Sequence, residues 1–236
     1  MSLKILEKLS LQNIEAQLQR KKVRYLNIRV CAPDGQVKLS APFRMDIEKI
    51  YRFFADKIEW IKKCQERIRA RKYSPALQFR SGEEHFFFGK RFILEVIEVE
   101  KKPQVKIVDE CLILQVRPHS TKKIRQKIID QFYRAELKKL IPQFIEKWQE
   151  EMDVKVAQFG IKKMKTRWGT CNIRARRIWL NLDLAKTPLD CLEYIIIHEM
   201  NHLLERKHTK RFHALMDKFY PTWRDSKIKL KSFLLR

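Results

Sequence analysis

The segment that most constrains this chain is an apolar stretch, residues 192–204, that carries two histidines with Glu199 between them. Apolar side chains occupy most of the circumference of the helix that it predicts, which is typical of a buried helix. His198 and His202 are four residues apart and share one face of that helix, so both imidazoles can reach one ion. Burying these rings and the Glu199 carboxyl without partners would cost roughly a few kcal/mol per group, and a bound metal gives each of them a role.

His208 is the candidate for a third ligand, because a zinc hydrolase uses three protein ligands and one open position for water. A continuous helix would carry His208 off the ligand face, but Thr209 can cap a new helix, so the chain can turn back at this point. Glu199 is the candidate general base for a metal-activated water. His213 is the rival third ligand, and its place within the new helix favours a position outside the ligand set.

Other reactive side chains offer no comparable pattern. His85 and His119 have no matching partners and are interpreted as structural. None of the five cysteines has C-x-x-C spacing, so the sequence indicates neither a zinc knuckle nor a dithiol redox motif. Cys171 could approach the metal, but a packed thiol is the better interpretation. Arg167 is a candidate substrate-binding residue that would stabilise developing negative charge, with a surface salt bridge as the alternative.

Periodicity along the chain predicts an α+β fold. Residues 1–21 are interpreted as a short amphipathic helix or an arm, and 23–30 with 37–42 as a hairpin. A helix capped by Asp46 is predicted to reach about Arg71. Further strands are predicted within 84–99 (broken at Gly89-Lys90), at 105–108, 111–116, 154–159 and 178–184, with a helix at 122–152 and a helical remainder.

Two regions are predicted from this order of elements. The first, 1–118, is a β-rich unit crossed by one long helix, and the second, 119–236, is a helical metal-binding unit with a small sheet. A single continuous α+β domain fits the same pattern.

The net charge is +24, from 52 Lys and Arg against 28 Asp and Glu, which favours anionic partners such as nucleic acid or nucleotides. The basic residues are spread along the chain, so a generally basic composition explains the charge equally well. No apolar run is long enough for a transmembrane helix, and the charged first residues lack the features of a signal peptide. A cytoplasmic protein is therefore expected. The sequence predicts no particular oligomeric state.

Several motifs together resemble the YgjP-like metallopeptidase family. The resemblance covers about residues 20–232 and rests most specifically on Arg167-Trp168-Gly169-Thr170-Cys171, the strand 178–182, His198-Glu199-Met200-Asn201-His202, and His208-Thr209 with Phe212. It implies a zincin-like core related to SprT-like and WLM proteases. It also implies His198, His202 and His208 as Zn²⁺ ligands and Glu199 as the base. Thr170 stands where the family usually has Ser, and His213 where it often has Trp.

The function expected from these features is a zinc-dependent hydrolase, a metallopeptidase that uses metal-activated water on a peptide or protein. Residues 178–184 are the candidate edge strand that would align an extended peptide by β-addition. Two alternatives stay open: a metal-dependent nucleotide phosphohydrolase, and a nucleic-acid-associated zinc protein. Neither a P-loop nor a Nudix-like acidic cluster supports the first alternative, and no recognised nucleic-acid module supports the second.

Overall fold

The computed structural model describes residues 6–31, 34–70 and 77–233, and it confirms the α+β class. Within those residues the chain forms six α-helices, one 3₁₀ helix and three sheets. The chain divides into two compact units between Ala76 and Leu77. Each unit has a hydrophobic core of its own.

The first unit is a four-stranded sheet followed by two helices. Its strands are β1 (Leu6–Leu11), β2 (Ile14–Arg20), β3 (Asn27–Cys31) and β4 (Gln36–Ala41). They lie in the order β1-β2-β4-β3, and only β2 and β4 are parallel. The helices are α1 (Ile47–Asp56) and α2 (Ile58–Ala70). Ile50 and Phe54 of α1 and Ile61 of α2 are buried in the core with the inner face of the sheet.

The start of the chain differs from its prediction, because β1 and β2 form a hairpin where the sequence predicts a helix or an arm. Leu9, Ile14 and Leu18 are buried, and within each strand the buried positions follow the strand repeat of two. Gln12 and Asn13 have φ values of 47° and 62°, the backbone that a two-residue hairpin turn requires. Residues 1–5 lie outside the described part.

The predicted long helix is interrupted. Its start is confirmed, because the Asp46 side chain accepts a hydrogen bond from the Glu48 amide at 3.1 Å. Lys57 then separates α1 from α2, with φ −100° and ψ 0°. Both segments bury apolar residues in one core, so apolar spacing alone does not reveal the break. The predicted end at Arg71, like Ala32 and Pro33 of the predicted turn, lies outside the described residues.

The second unit begins with another four-stranded sheet. Both predicted strand pairs are confirmed: β5 (Glu84–Phe87) with β6 (Lys90–Glu98), and β7 (Gln104–Val108) with β8 (Cys111–Val116). The strand order is β5-β6-β8-β7, and β6 is parallel to β8. Helix α3 (Lys122–Met152) follows as predicted, capped by Thr121 and continuous through Pro142.

The chain divides into its two compact units at residue 76, whereas the sequence predicts a boundary near residue 118. The reason is packing across the predicted boundary. Leu112 and Leu114 of β8 share one buried cluster with Tyr133 and Leu137 of α3. The strands of 84–116 therefore belong with the helical region that comes after them.

A three-stranded sheet and three helices complete the second unit. The strands are β9 (Gln158–Lys162), β10 (Gly169–Asn172) and β11 (Arg177–Asn181), in the order β10-β11-β9. The strands predicted from sequence overlap β9 and β11 in part and omit β10. A 3₁₀ helix (Leu182–Lys186) leads to α4 (Leu189–Asn201), α5 (Lys210–Phe219) and α6 (Trp223–Ser232). Among the described residues, no helix combines the length and apolar character that crossing a membrane requires.

Candidate metal centre

Helix α4 holds the first two histidines of the candidate centre. Ile195, Ile196 and Ile197 are buried and fix the helix in the core of the second unit. His198 and His202 then lie one turn apart, with ring centroids separated by 5.2 Å. The helix ends at His202, its C-cap, so the chain can turn immediately after the second ring.

His208 reaches the same place from the start of α5. The Thr209 side chain caps that helix by accepting a hydrogen bond from the Phe212 amide at 3.3 Å, as predicted. The Nε2 atoms of His208 and His198 are 3.0 Å apart. One ring nitrogen from each of His198, His202 and His208 lies within 4.8 Å of the others. The structure therefore brings together the three side chains that the sequence singles out as ligands.

Two hydrogen bonds orient this cluster. His202 Nδ1 lies 3.2 Å from the Glu205 carbonyl oxygen; a proton donated there leaves Nε2 with its lone pair. Asn201 is fully buried and donates from Nδ2 to the Phe212 carbonyl at 3.0 Å, which ties the end of α4 to α5. The Phe212 ring packs against all three imidazoles, with centroids 4.7–5.0 Å away.

The donor set fits a transition metal ion. Burial lowers the pKa of His198 to about 3, and burial also lowers the pKa of His208. Neutral imidazoles are the form that coordinates a metal, and nitrogen ligands suit zinc, copper, iron or nickel better than calcium or magnesium. His198 and His208 could therefore bind such an ion without first losing protons.

Glu199 lies beside the cluster and outside its ring of nitrogens. It is only 5% exposed, and burial raises the pKa of its carboxyl group to about 8, an effect that the nearby Arg167 charge opposes. The carboxyl group packs directly over Gly169 of β10. A methyl group added to Gly169 would come within 2.6 Å of Glu199 Oε1. The absence of a side chain at Gly169 thus makes room for Glu199.

An open cleft of about 430 Å³ connects these groups with solvent, and we call it the catalytic cleft. It is lined by Arg167, Gly169, Thr170, Cys171, Ile173, His198, Glu199, His202, Arg206 and His208. Arg167, the candidate substrate-binding residue, is one of these lining residues. Cys171 lines the cleft too, but burial raises the pKa of its thiol to about 11, and its sulfur is not among the clustered ligand atoms.

The strand that borders this cleft is β10. The sequence predicts residues 178–184 as the edge strand, but β11 is paired on both sides, with β10 and with β9, and has no free edge. Beyond Asn181 that segment leaves the sheet for the 3₁₀ helix. Among the described strands β10 pairs with β11 alone, so its other edge is free, and Gly169 to Cys171 of this strand line the catalytic cleft.

The other histidines are placed elsewhere. His213 is not part of the clustered nitrogens, and its Nδ1 lies 2.9 Å from the Thr209 carbonyl oxygen. Its ring stacks on Trp223 with centroids 5.7 Å apart. His85 is buried in β5, and His119 lies in an exposed turn after β8, so neither joins the cluster.

Several residues around the centre are not singled out by the sequence. Gly169 stands out only as part of a motif, although a glycine inside a strand is itself a signal of close approach. Tyr194 precedes His198 by four residues, and its ring contacts that imidazole with centroids 5.8 Å apart, so helical spacing could have found it. Arg206 and Lys227 carry no such signal, because they reach the centre through turns and helix packing.

Comparison with known proteins agrees with this geometry. No individually curated protein matches the chain. A family model described as the YgjP-like metallopeptidase domain matches residues 24–233, which is most of the chain and includes every residue of the centre. The resemblance inferred from the motifs is thereby confirmed, and the chain belongs to the YgjP-like metallopeptidase domain family.

Proposed function

We propose that this protein is a zinc-dependent metallopeptidase with His198, His202 and His208 as ligands and Glu199 as general base. The observation that carries the proposal is the convergence of three imidazole nitrogens beside a buried carboxyl group in an open cleft. Three protein ligands with access for solvent are the pattern of catalytic zinc sites, whereas structural sites use four. Family membership supports a metal ion and peptide bond hydrolysis without specifying zinc.

A zinc ion bound here would supply Lewis acidity, which polarises a carbonyl group and allows water to lose a proton near neutral pH. Glu199 is placed to accept that proton as a carboxylate, the form that the positive charge of a bound metal ion would favour, because its carboxyl group lines the catalytic cleft together with His198. It would then pass the proton to the leaving amine. Arg167 lines the same cleft and can stabilise negative charge as it develops on the substrate.

The free edge of β10 supports a peptide as substrate. An extended peptide can hydrogen-bond to an unpaired strand edge, and such pairing holds the scissile bond in one register. Because Gly169 to Cys171 also line the catalytic cleft, a peptide bound along β10 would pass the histidine cluster. Binding of nucleotides or nucleic acid through the +24 net charge stays a prediction, for which retention on heparin at low salt is the first test.

The proposal is tested by Glu199→Gln in zinc-loaded protein. All three imidazoles remain, so we expect zinc content to be retained while peptide or casein turnover falls by about 10²–10⁴-fold, the usual contribution of a general base. Metal content is measured by mass spectrometry beside turnover. Full turnover in the variant would contradict the role of Glu199, and loss of zinc would make it a ligand or a structural group.

Glu193→Gln is the matched control. Glu193 lies on the same helix, but its carboxylate is used by Lys147 Nζ at 3.0 Å and Trp148 Nε1 at 2.9 Å. Those contacts are outside both the ligand cluster and the catalytic cleft. We therefore expect this variant to keep both zinc and turnover.

A further inference from the structure

A second cleft of about 380 Å³ adjoins the histidine cluster, and we call it the aromatic cleft. It is lined by Tyr194, His198, His208, Phe212, His213, Met216, Trp223 and Lys227. His198 and His208 also line the catalytic cleft, so the two clefts meet at these rings. A peptide held across the centre can therefore place one group in each cleft.

Both clefts carry positive charge that takes part in no ion pair. Arg167 and Arg206 line the catalytic cleft, and Lys227 lines the aromatic cleft. None of the three forms an ion pair with another residue of the described chain. Neighbouring cations differ, because Arg224 pairs with Asp217, and Lys229 pairs with Asp190 at 2.7 Å.

No acidic side chain is among the described residues that line the aromatic cleft. Its single permanent charge is Lys227, whose Nζ lies 5.3 Å from the centre of the Trp223 ring. The Trp223 and Tyr194 rings are stacked, with an interplanar angle of 14°, and form an apolar wall beside this charge. Tyr194 is buried, and its hydroxyl makes no hydrogen bond within residues 6–31, 34–70 and 77–233. An ammonium group and an unused hydroxyl beside apolar rings suit a carboxylate on a short aliphatic stem.

We propose that the aromatic cleft is a substrate subsite that binds a carboxylate of the peptide through Lys227. This inference rests on the proposed peptidase function and specifies its substrate class, peptides with negative charge close to the scissile bond. The carboxylate can belong to a Glu or Asp side chain or to the C-terminus of the peptide. Both sources present the same chemistry to the cleft.

Internally quenched peptides test the proposal. Glu, Gln or Lys is placed in turn at each position beside the scissile bond, and each peptide is made with a free and an amidated C-terminus. We expect one position, or the free C-terminus, to raise kcat/KM about fivefold over its neutral counterpart, the size expected of one partly exposed ion pair. A preference that survives amidation identifies a side chain, and one that amidation removes identifies the C-terminus.

Lys227→Gln should bring the ratio of kcat/KM between the Glu and Gln peptides close to one, and Lys227→Glu should shift the preference to Lys. If the C-terminal carboxylate is the ligand, the corresponding ratio is that between free and amidated peptides. Lys231→Gln is the matched control, since Lys231 is on the same helix but does not line the cleft, and it should keep the wild-type ratio. Both lysines are exposed, so folding should survive these substitutions.

Binding separates this inference from the proposed function. Labelled Glu and Gln peptides, and their free and amidated forms, are titrated into zinc-loaded Glu199→Gln protein, and anisotropy gives Kd values that do not depend on turnover.

Turnover of peptides without preference for a carboxylate would overturn the subsite alone. If no peptide is turned over, for example because the protein hydrolyses nucleoside triphosphates instead, both the subsite and the proposed peptidase function would be overturned. A preference for a carboxylate that persists in Lys227→Glu would also overturn the role of Lys227.

Discussion

The four-stranded sheets of the two units follow one plan. Each consists of two antiparallel hairpins joined by a parallel pairing of their second and fourth strands, in the order 1-2-4-3. Both parallel pairs match buried residues with buried residues. Ala16 pairs with Val37 in the first sheet, and Leu94 pairs with Leu112 in the second. In both units a proline and a capped helix come after the fourth strand.

The two units differ in the elements that come after the sheet. The first sheet is closed by α1 and α2 in a small core, and this unit contains no histidine. The second sheet packs on α3, and its core continues into α4, α5 and α6, which with β10 carry most of the candidate centre. The sheet and its helix therefore act as a scaffold, and the candidate centre belongs to elements added after it.

The largest expected effect is that of His202→Ala, which tests whether the chemistry is confined to the added elements. Removing one of three ligands should release the metal and reduce turnover to background. Metal content by mass spectrometry and turnover of the quenched peptides measure both losses. His119→Asn is the control, because His119 lies in an exposed turn with φ 58°, a conformation that Asn tolerates. A His202→Ala protein that still holds one equivalent of metal would place the centre elsewhere.

Equivalent core positions of the two sheets should respond alike to truncation but differently to metal. Leu39 and Leu114 are both essentially unexposed on the fourth strand, so Leu39→Ala and Leu114→Ala should each lower the free energy of unfolding of their own unit by about 2–5 kcal/mol. Zinc should restore stability only to the second unit, which carries Leu114→Ala, because a bound ligand stabilises the folded state of the unit that binds it. Hydrogen exchange resolved by peptide measures each unit. Equal protection of both units by zinc would contradict the comparison.

His85 is a position where the two sheets differ. Counting from the hairpin turn makes Leu9 of β1 its equivalent, and counting from the parallel strand pair makes Leu11 its equivalent. Both counts give leucine, so His85→Leu introduces the residue type that the first sheet has at this position. Burial lowers the pKa of His85 to about 4, although Glu83 opposes this shift, and its Nε2 has no hydrogen-bond partner among the described residues. Between pH 6.5 and 4 the unfolded chain takes up a proton that the folded unit does not, so stability falls as pH falls.

We expect this acid sensitivity to cost the second unit about 3 kcal/mol at pH 4, from about 1.36 kcal/mol per pKa unit, and His85→Leu to remove it. Urea unfolding at about pH 7 and pH 4, followed by tryptophan fluorescence, measures the difference. The probe suits this unit, because four of the five tryptophans lie in it. Equal loss of stability in the variant and in wild type would exclude His85 as the cause.

Gly169→Ala tests the sheet that has no counterpart in the first unit. The new methyl group would displace the Glu199 carboxyl group, while the three imidazoles stay in place. We expect turnover to fall about 10²-fold, as a displacement of about 1 Å can cause, with metal retained. Gly160→Ala is a contrasting variant, because its methyl group would meet the Trp179 ring and affect packing. Unchanged turnover in Gly169→Ala would show that the position of Glu199 is not critical.

The parts of the fold that local pattern determines are predictable from sequence. Helix α3 and the hairpins of the second sheet follow periodicity, and Asp46 and Thr209 act as caps as expected. The cluster of three candidate ligands is predictable for the same reason, since helical spacing and one cap bring the histidines together within a short stretch. The prediction for residues 6–20 is wrong because charged residues between the apolar ones resemble the pattern of an amphipathic helix, although these residues form two strands.

The remaining features depend on partners that are distant in sequence. Strand order decides which strand of the third sheet has a free edge. The local pattern does not contain that order, so it predicts β11 as the edge strand and omits the four-residue β10. The boundary between units is hidden because β8 packs on α3 across the predicted position. The aromatic cleft needs α6 to bring Lys227 beside α4 and α5, which no local pattern indicates.

The closeness of the candidate ligands along the chain has a consequence for folding. His198 and His208 are ten residues apart, and their helices are joined by a short turn. Closing so short a loop loses little entropy, and contacts between near residues form early. The walls of the two clefts, in contrast, come from β10 and α6. We therefore expect metal capture to precede completion of the clefts, so that the supply of metal during synthesis governs the yield of the folded second unit.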